Sequence, residues 1–300
     1  MRILNFGSLN IDTVFSVSHA AAPGESLAVT DPQIHAGGKG LNQSIAAARA
    51  GSDVYHAGRV GSDGEFLLQL LKQDGVNTSC VTLDAEARNG GAIIQVEPEG
   101  RNTMLIYGGA NRRLTREQIE MTLGKFTKGD FLMMQNETNL SREILHQAYF
   151  RGMFTIYNPS PITQTIYEMP YEEVSLLIVN EDEGAALAGG EYPPEEMLQR
   201  LTAVCPNQVI LTLGKSGSLA VSEGEIIRQS IFPVEAVDST GAGDTFAGYI
   251  AASLSRGVPM VHAMQMAAAA SAISVTRHGA AASIPTLNEV KAFLSQNAPQ

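Results

Sequence analysis

The sequence predicts an α/β protein: a mostly parallel sheet with helices on its faces, and a smaller sheet projecting from it. Three observations carry this. From about Phe131 onward, strand-like and helix-like segments alternate, the pattern that lays helices over a parallel sheet. Polar residues repeatedly follow the apolar runs, as they do where α/β sheets keep their ligands. Earlier in the chain, short strand-like runs separated by turn residues break the alternation, which assigns them to a small separate sheet.

Taken in order, Arg2–Gly7 is a short apolar strand ending at glycine, and Thr13–Val17 is a second strand-like run. Asn10 and Asp12 lie at their junction, as ligand-facing groups or as ordinary turn residues. Pro23-Gly24-Glu25 marks a turn before a weak strand over Ser26–Thr30. His35–Gln43 then places three glycines within four positions, with Lys39 and Asn42 as donors. It opens a helix with Leu41, Ile45 and Ala48 on one face, stopping near Gly51. Val54–Val60 reads as a buried strand and Glu65–Gln73 as an amphipathic helix. Gly91–Glu97 and Asn102–Tyr107 form a hairpin about Pro98-Glu99-Gly100-Arg101, and Thr115 with Gln118 resembles a capping box. Strands at Phe131–Met134, Met153–Tyr157, Ser175–Val179 and Gln208–Leu213 then alternate with helices at Ser141–Phe150, Glu181–Leu187 and Pro194–Ala203. Ala267–Ala272, with Ile273 and Val275, reads as a close-packed core helix.

The 300 residues, 44% hydrophobic and 17% charged, are enough for one large domain with an insertion or for two modest ones. A net charge of −11 argues against nucleic-acid and anionic-membrane surfaces, which need basic patches. Cys80 and Cys205 are far apart and outside metal-ligand spacing; free thiols in a reducing cytoplasm are expected, with a single disulfide as the alternative. No apolar run approaches the ~20 residues of a membrane span. The six histidines show no metal-like grouping, and no nucleophile triad is evident.

Chemistry concentrates in Val237–Phe246. Phe246, Ala247, Ile250, Ala251 and Leu254 recur at helical spacing, so Gly241 and Gly243 sit at or just before a helix N-terminus. Unpartnered amides and the helix dipole stabilise a phosphate there. Asp244, a carboxylate beside an anion site, makes sense as a base that takes a proton from an attacking hydroxyl. Its plainer reading is an N-terminal acid facing the dipole. Other polar groups at strand ends are Asn136 and Glu137, Asn158, Asn180 and Glu183, and Thr212 with Gly214. Many of them together describe a long cleft for two ligands, although each has a local capping or turn reading as well. The glycine loop at 37–40 is neither a G-x-G-x-x-G nor a P-loop, which disfavours a nicotinamide enzyme.

These residues resemble the ribokinase-like (PfkB) carbohydrate kinase family over essentially the whole chain. Asp238–Phe246 matches its D-T-x-G-A-G-D pattern with Ser239 for the usual Thr, Gly37–Gln43 its G-G-K-G-x-N-Q pattern, and Asn180 with Glu183 its N-x-x-E pattern. The resemblance implies one catalytic domain over residues 1–300, folded as a three-layer sandwich. A β-sheet lid would draw its strands from about 12–34 and 90–108. It implies ATP-dependent phosphorylation of a sugar, with O5 of D-ribose as the expected acceptor. Asp244 would be the base, and Gly241, Ala242 and Gly243 the anion hole. Asn10, Asp12, Gly38, Lys39, Asn42 and Glu137 would hold the sugar, and Asn180, Thr212, Gly214, Gly217 and Gly243 would border ATP. Glu183 would bind Mg²⁺ through water. Asp238, Thr240, Ser274, Arg277, Gly279 and Ser283 would surround K⁺. A cytoplasmic homodimer joined through the lid is expected.

Two departures bear on specificity: Ala268 stands where relatives often carry Asn or His near the adenine, and Asn136 precedes Glu137 where an apolar residue is common. Deoxyribose, another sugar or a nucleoside are alternative acceptors, and a non-catalytic sugar sensor is the alternative of a different class.

Overall fold

The fold is a computed structural model that describes residues 1–29, 32–98 and 101–297. The chain opens with strand β1 (Arg2–Phe6), crosses into the small sheet with β2 (Asn10–Ser16) and β3 (Gln33–Gly37), and returns through helix α1 (Lys39–Arg49). Strand β4 (Asp53–Gly61), helix α2 (Glu65–Gln73) and strand β5 (Asn77–Asp84) extend the main sheet, then β6 (Gly90–Val96) and β7 (Asn102–Tyr107) complete the small one. Helix α3 (Arg116–Leu123) leads to β8 (Phe131–Gln135), α4 (Ser141–Phe150), β9 (Phe154–Asn158) and β10 (Leu176–Val179). Helices α5 (Glu181–Ala188) and α6 (Pro194–Val204) precede β11 (Gln208–Thr212) and an edge hairpin, β12 (Ser218–Ser222) and β13 (Glu225–Gln229). Helices α7 (Ala242–Ser255), α8 (Met260–Ser274) and α9 (Leu287–Gln296) follow.

Among the described residues the main sheet has nine strands in the order β13-β12-β11-β10-β9-β8-β1-β4-β5, antiparallel only at β11/β12/β13. Its two faces are both apolar, as a covered parallel sheet requires. Phe131 and Met133 join a core layer with α1, α2, α7 and α8, whereas Leu132 and Met134 join another with α3, α4 and α6. The strand order reverses at the β1/β8 seam, and the crevice outside the strand ends opens there. Helices α1 and α7 cross over this seam closely: a Cβ built on Gly248 would lie 2.4 Å from Ala46 Cβ and 2.8 Å from the Gln43 carbonyl.

The small sheet runs β3-β2-β6-β7, with β2 and β6 parallel and each outer pair antiparallel. Its root is stapled by two amides. Asn89 donates to the Leu9 carbonyl (2.7 Å), and Asn111 accepts from the Leu9 amide (3.0 Å) while donating to Asn10 Oδ1 (2.7 Å).

Several expectations need correction. Ser26–Val29 form no strand; the partner of β2 is β3, which runs into the start of the stretch expected to be a glycine loop. The reason is register: pairing Asn10 with Gly37 leaves room for Asp12, whose Oδ2 would lie 1.9 Å from a Cβ on Gly37. Thr30, and Glu99 and Gly100 of the expected hairpin turn, lie outside the described residues. Only half of the Thr115 capping box forms, because Gln118 Oε1 accepts instead from Arg59 Nε at 3.1 Å while its Nε2 donates to the Gly58 carbonyl at 2.8 Å. Strands β5, β12 and β13 and helix α9 were not anticipated. Two of these strands meet at Glu223-Gly224, both with positive φ (53° and 81°), a mirror-image hairpin turn without the usual Asn or Asp.

Candidate active site

Helix α7 starts at Ala242 after Gly241, whose φ of 76° is the left-handed conformation that lets the chain turn sharply into the helix. Asp244 falls in the first turn and is 7% exposed. Its Oδ2 accepts from Asn42 Nδ2 and its Oδ1 from Gln43 Nε2, both at 2.9 Å, so two neighbouring residues of α1 grip it. The Gly243 amide has no partner among the described residues, and a Cβ there would meet nothing within 4 Å. The amide of Ala242, also expected in the anion hole, donates to the Ser239 carbonyl at 3.2 Å. At that length the bond is weak and open to exchange for a charged acceptor.

On one side of Asp244 lie the residues expected to hold a sugar. Glu137, just after β8, receives the Ser8 hydroxyl and the Lys39 amide (2.9 Å) on the same oxygen, Oε2. Oε1 makes no hydrogen bond among the described residues. Burial, joined by the charge on Asp244, raises the Glu137 pKa against the opposing pull of Ser8 and Lys39. Burial opposes the charge on Lys39, but the attraction of Asp244, Glu137 and Glu183 outweighs it and holds the ammonium above its ordinary pKa. Asp12 accepts from the Ala92 amide (3.2 Å); burial, helped by the charge on Glu137, pushes its pKa up to about 6. Gly38 caps α1, and Asn10 is held by Asn111. Asn136, the departure next to Glu137, turns away from the sugar side. It donates to the Pro161 carbonyl and to Thr163 Oγ1, both at 2.8 Å, and so pins the loop after β9.

On the other side, Asn180, Thr212, Gly214, Gly217 and Gly243 line one cleft of about 830 Å³ together with Ala268. Glu183 is not part of that lining. It is 4% exposed, and its Oε2 accepts from the Asn180 amide (3.0 Å) in a capping box on α5 and from Asn158 Nδ2 (3.3 Å). Among the described residues no three His, Cys, Asp or Glu side chains are grouped to hold a metal ion.

The residues expected around K⁺ do come together. Asp238 Oδ1 accepts from the Thr240 amide (2.9 Å) and Oδ2 from the Gly279 amide (2.8 Å). Burial would raise the Asp238 pKa, but these bonds prevail and lower it. The Ser274 carbonyl receives the Arg277 amide, and the Arg277 guanidinium reaches the Ser283 carbonyl (3.5 Å) and Glu289 (2.6 Å). A guanidinium is cationic and has no acceptor atom, so only the backbone oxygen of Arg277 could serve as a ligand.

Sequence reasoning missed Ser8, Asn89, Asn111 and the part played by Gln43. Asn89 directly precedes Gly90-Gly91 and Asn111 lies one residue beyond Gly108-Gly109, so an amide close to paired glycines was a usable signal for a tight joint.

Comparison with known proteins fits this geometry. The pattern of the pfkB family of carbohydrate kinases matches residues 2–287. A ribokinase of Staphylococcus aureus is 33% identical, covering 96% of this chain and 98% of its own. A deoxyribokinase of Salmonella typhi is 29% identical, with 99% and 100% covered. The structure of Arabidopsis thaliana ribokinase complexed with ribose and ATP superposes with a TM-score of 0.88 at 28% identity, covering 97% of this chain and 98% of that one. With a family match over nearly its full length and a relative above 30% identity, the chain belongs to the pfkB family of carbohydrate kinases.

Proposed function

We propose that this chain transfers the γ-phosphoryl group of ATP to O5 of D-ribose. The observation that carries the reading is Asp244: a buried carboxylate at the open end of α7, gripped by the sugar-side helix and next in sequence to Gly243, which lines the large cleft. Asp244 accepts the proton of the primary hydroxyl as its oxygen attacks phosphorus. The Gly243 amide, the Ala242 amide and the α7 dipole offset the charge spreading over the transferring group. Lys39, kept protonated by three carboxylates, adds a fixed positive charge on the acceptor side.

Asn180, Thr212, Gly214 and Gly217 would border the nucleotide. With no protein cage for it among the described residues, Mg²⁺ would be held by phosphate oxygens and by water hydrogen-bonded to Glu183, a manner of binding this ion favours. It would neutralise phosphate charge. Asp238 and Thr240 with the carbonyls of the 274–283 turn are an all-oxygen set that suits K⁺, which would steady the neighbouring anion hole. A coupled assay over ribose, 2-deoxyribose, hexoses and nucleosides, with and without K⁺, tests the proposal. Ribose should give the highest kcat/KM and K⁺ should raise it. A higher value for deoxyribose would reassign the acceptor, and no turnover on any of them would favour a sensor.

Asp12 makes sugar binding pH-dependent. The folded chain binds this proton more tightly than the unfolded chain, whose pKa is near 3.8, so ionising Asp12 costs stability as pH rises through about 6. Sugar hydroxyls donating to the carboxylate reverse that cost. The rise in Tm given by saturating ribose should therefore be larger at pH 7 than at pH 5, and Asp12→Asn should flatten the difference. An equal rise at both pH values in the unmodified protein would remove Asp12 from the sugar site.

Met104 and Ile106 (50% and 63% exposed) share the small-sheet face that carries Asp12, while Ile34, Ile93 and Leu105 are exposed on the opposite face. So much bare apolar surface on a lid points to a second copy of the chain covering it. Met104→Glu with Ile106→Glu should convert a dimer to monomer by light scattering. A monomeric unmodified protein, or a dimer that survives both charges, would exclude this interface.

A further inference from the structure

We infer that Gln43 is the positioning residue of Asp244, and that a buried chain of side-chain amides fixes which way Gln43 faces. The inference rests on the reading of Asp244 as the base. Gln43 is fully buried, and both of its amide hydrogens are used, on Asp244 Oδ1 (2.9 Å) and Asn158 Oδ1 (3.2 Å). Its Oε1 accepts from Gln135 Nε2 at 2.6 Å, and the second hydrogen of Gln135 goes to Asn5 Oδ1 at 3.0 Å. Asn5 in turn donates to the Gly40 carbonyl and to Ser44, both at 2.8 Å. Turning Gln43 over would set two oxygens together at Asp244 and two NH₂ groups together at Gln135. One orientation of Gln43 therefore satisfies all of its own contacts, although Gln135 Oε1 is left without a partner, and it ends in a donor aimed at the carboxylate.

Two consequences follow. With Asn42 on the other oxygen, Asp244 meets an amide donor at each oxygen, which locks the rotation of its carboxylate. Asn158 also donates to Glu183 Oε2 at 3.3 Å, so the same chain ties the base to the N-terminus of α5 on the nucleotide side. The other charges acting on Asp244 are Lys39 at the start of α1 and Glu137 after β8.

The test is a pH series of kcat with ATP, Mg²⁺ and ribose on the whole chain. Gln43→Leu should lower kcat by about 10- to 100-fold, with the ribose KM within about threefold, the signature of a misdirected group rather than a lost binding contact. Gln43→Glu keeps the shape. Protonated, the introduced carboxyl donates to Asp244 as the amide does; ionised, it repels it. This variant should therefore approach the unmodified kcat at low pH and acquire a descending alkaline limb that the unmodified enzyme lacks. Thermal melts and ribose calorimetry establish that each variant is folded and binds. A Gln43→Glu deficit that is absent or identical at every pH, in an enzyme that Asp244→Asn disables, overturns the positioning role. Full activity in Asp244→Asn overturns instead the assignment of the base.

Discussion

Asp244→Asn is expected to lower kcat by about 10²–10⁴-fold, the usual contribution of a general base, with little change in ribose KM. The carboxylate accepts one amide donor on each oxygen, so an asparagine in its place must turn its own NH₂ toward either Asn42 or Gln43. The variant thus loses the proton acceptor and also sets two donors against each other. Steady-state kinetics with a coupled ADP assay would measure the first effect and a thermal melt the second. Turnover within about tenfold of the unmodified protein would sink the assignment.

Gly248→Ala is the second change expected to have a large effect, although residue 248 touches no ligand. Its Cβ would fall 2.4 Å from Ala46 Cβ, 2.8 Å from the Gln43 carbonyl and 2.9 Å from the Ala47 amide. Two of those three are backbone atoms and cannot rotate away, so α1 must lift off α7. Overpacking of this kind costs about 1–3 kcal/mol. The activity loss should exceed what that instability explains, because the displaced helix carries Lys39, Asn42 and Gln43 while its neighbour carries Asp244. A misplacement near 1 Å can cost about 10²-fold in rate. Adding Ala46→Gly should restore part of both losses by removing the closest contact. An unchanged Tm together with an unchanged kcat would show that the two helices tolerate separation.

How legible this was in the sequence depended on how local the signal is. The glycine turn before α7 was readable because its residues are consecutive and the periodic face of the helix follows at once. Phe131–Met134 was readable because a run buried on both faces is apolar without interruption. Strand β5 (Asn77–Asp84) was missed because it is an edge strand with polar residues at most positions, and only its pairing with β4 makes it a strand. Strand β3 was missed because its glycine serves the Asp12 carboxylate, a need invisible until two strands are paired. Gln43 was visible as part of a motif yet without a role of its own, since its meaning comes from Gln135 and Asn158, 92 and 115 positions away.

The crossing of α1 with α7 also has a bearing on how the molecule comes into being. The bonds from Asn42 and Gln43 to Asp244 close loops of 202 and 201 residues. Contacts that distant form late and slowly, after most of the ordering entropy has been spent. A chain still emerging from the ribosome holds a complete acceptor loop at residues 37–43 long before any base exists to serve it. Nascent or truncated forms lacking the segment from α7 onward would accordingly be silent, and the onset of turnover would report the final docking step of folding.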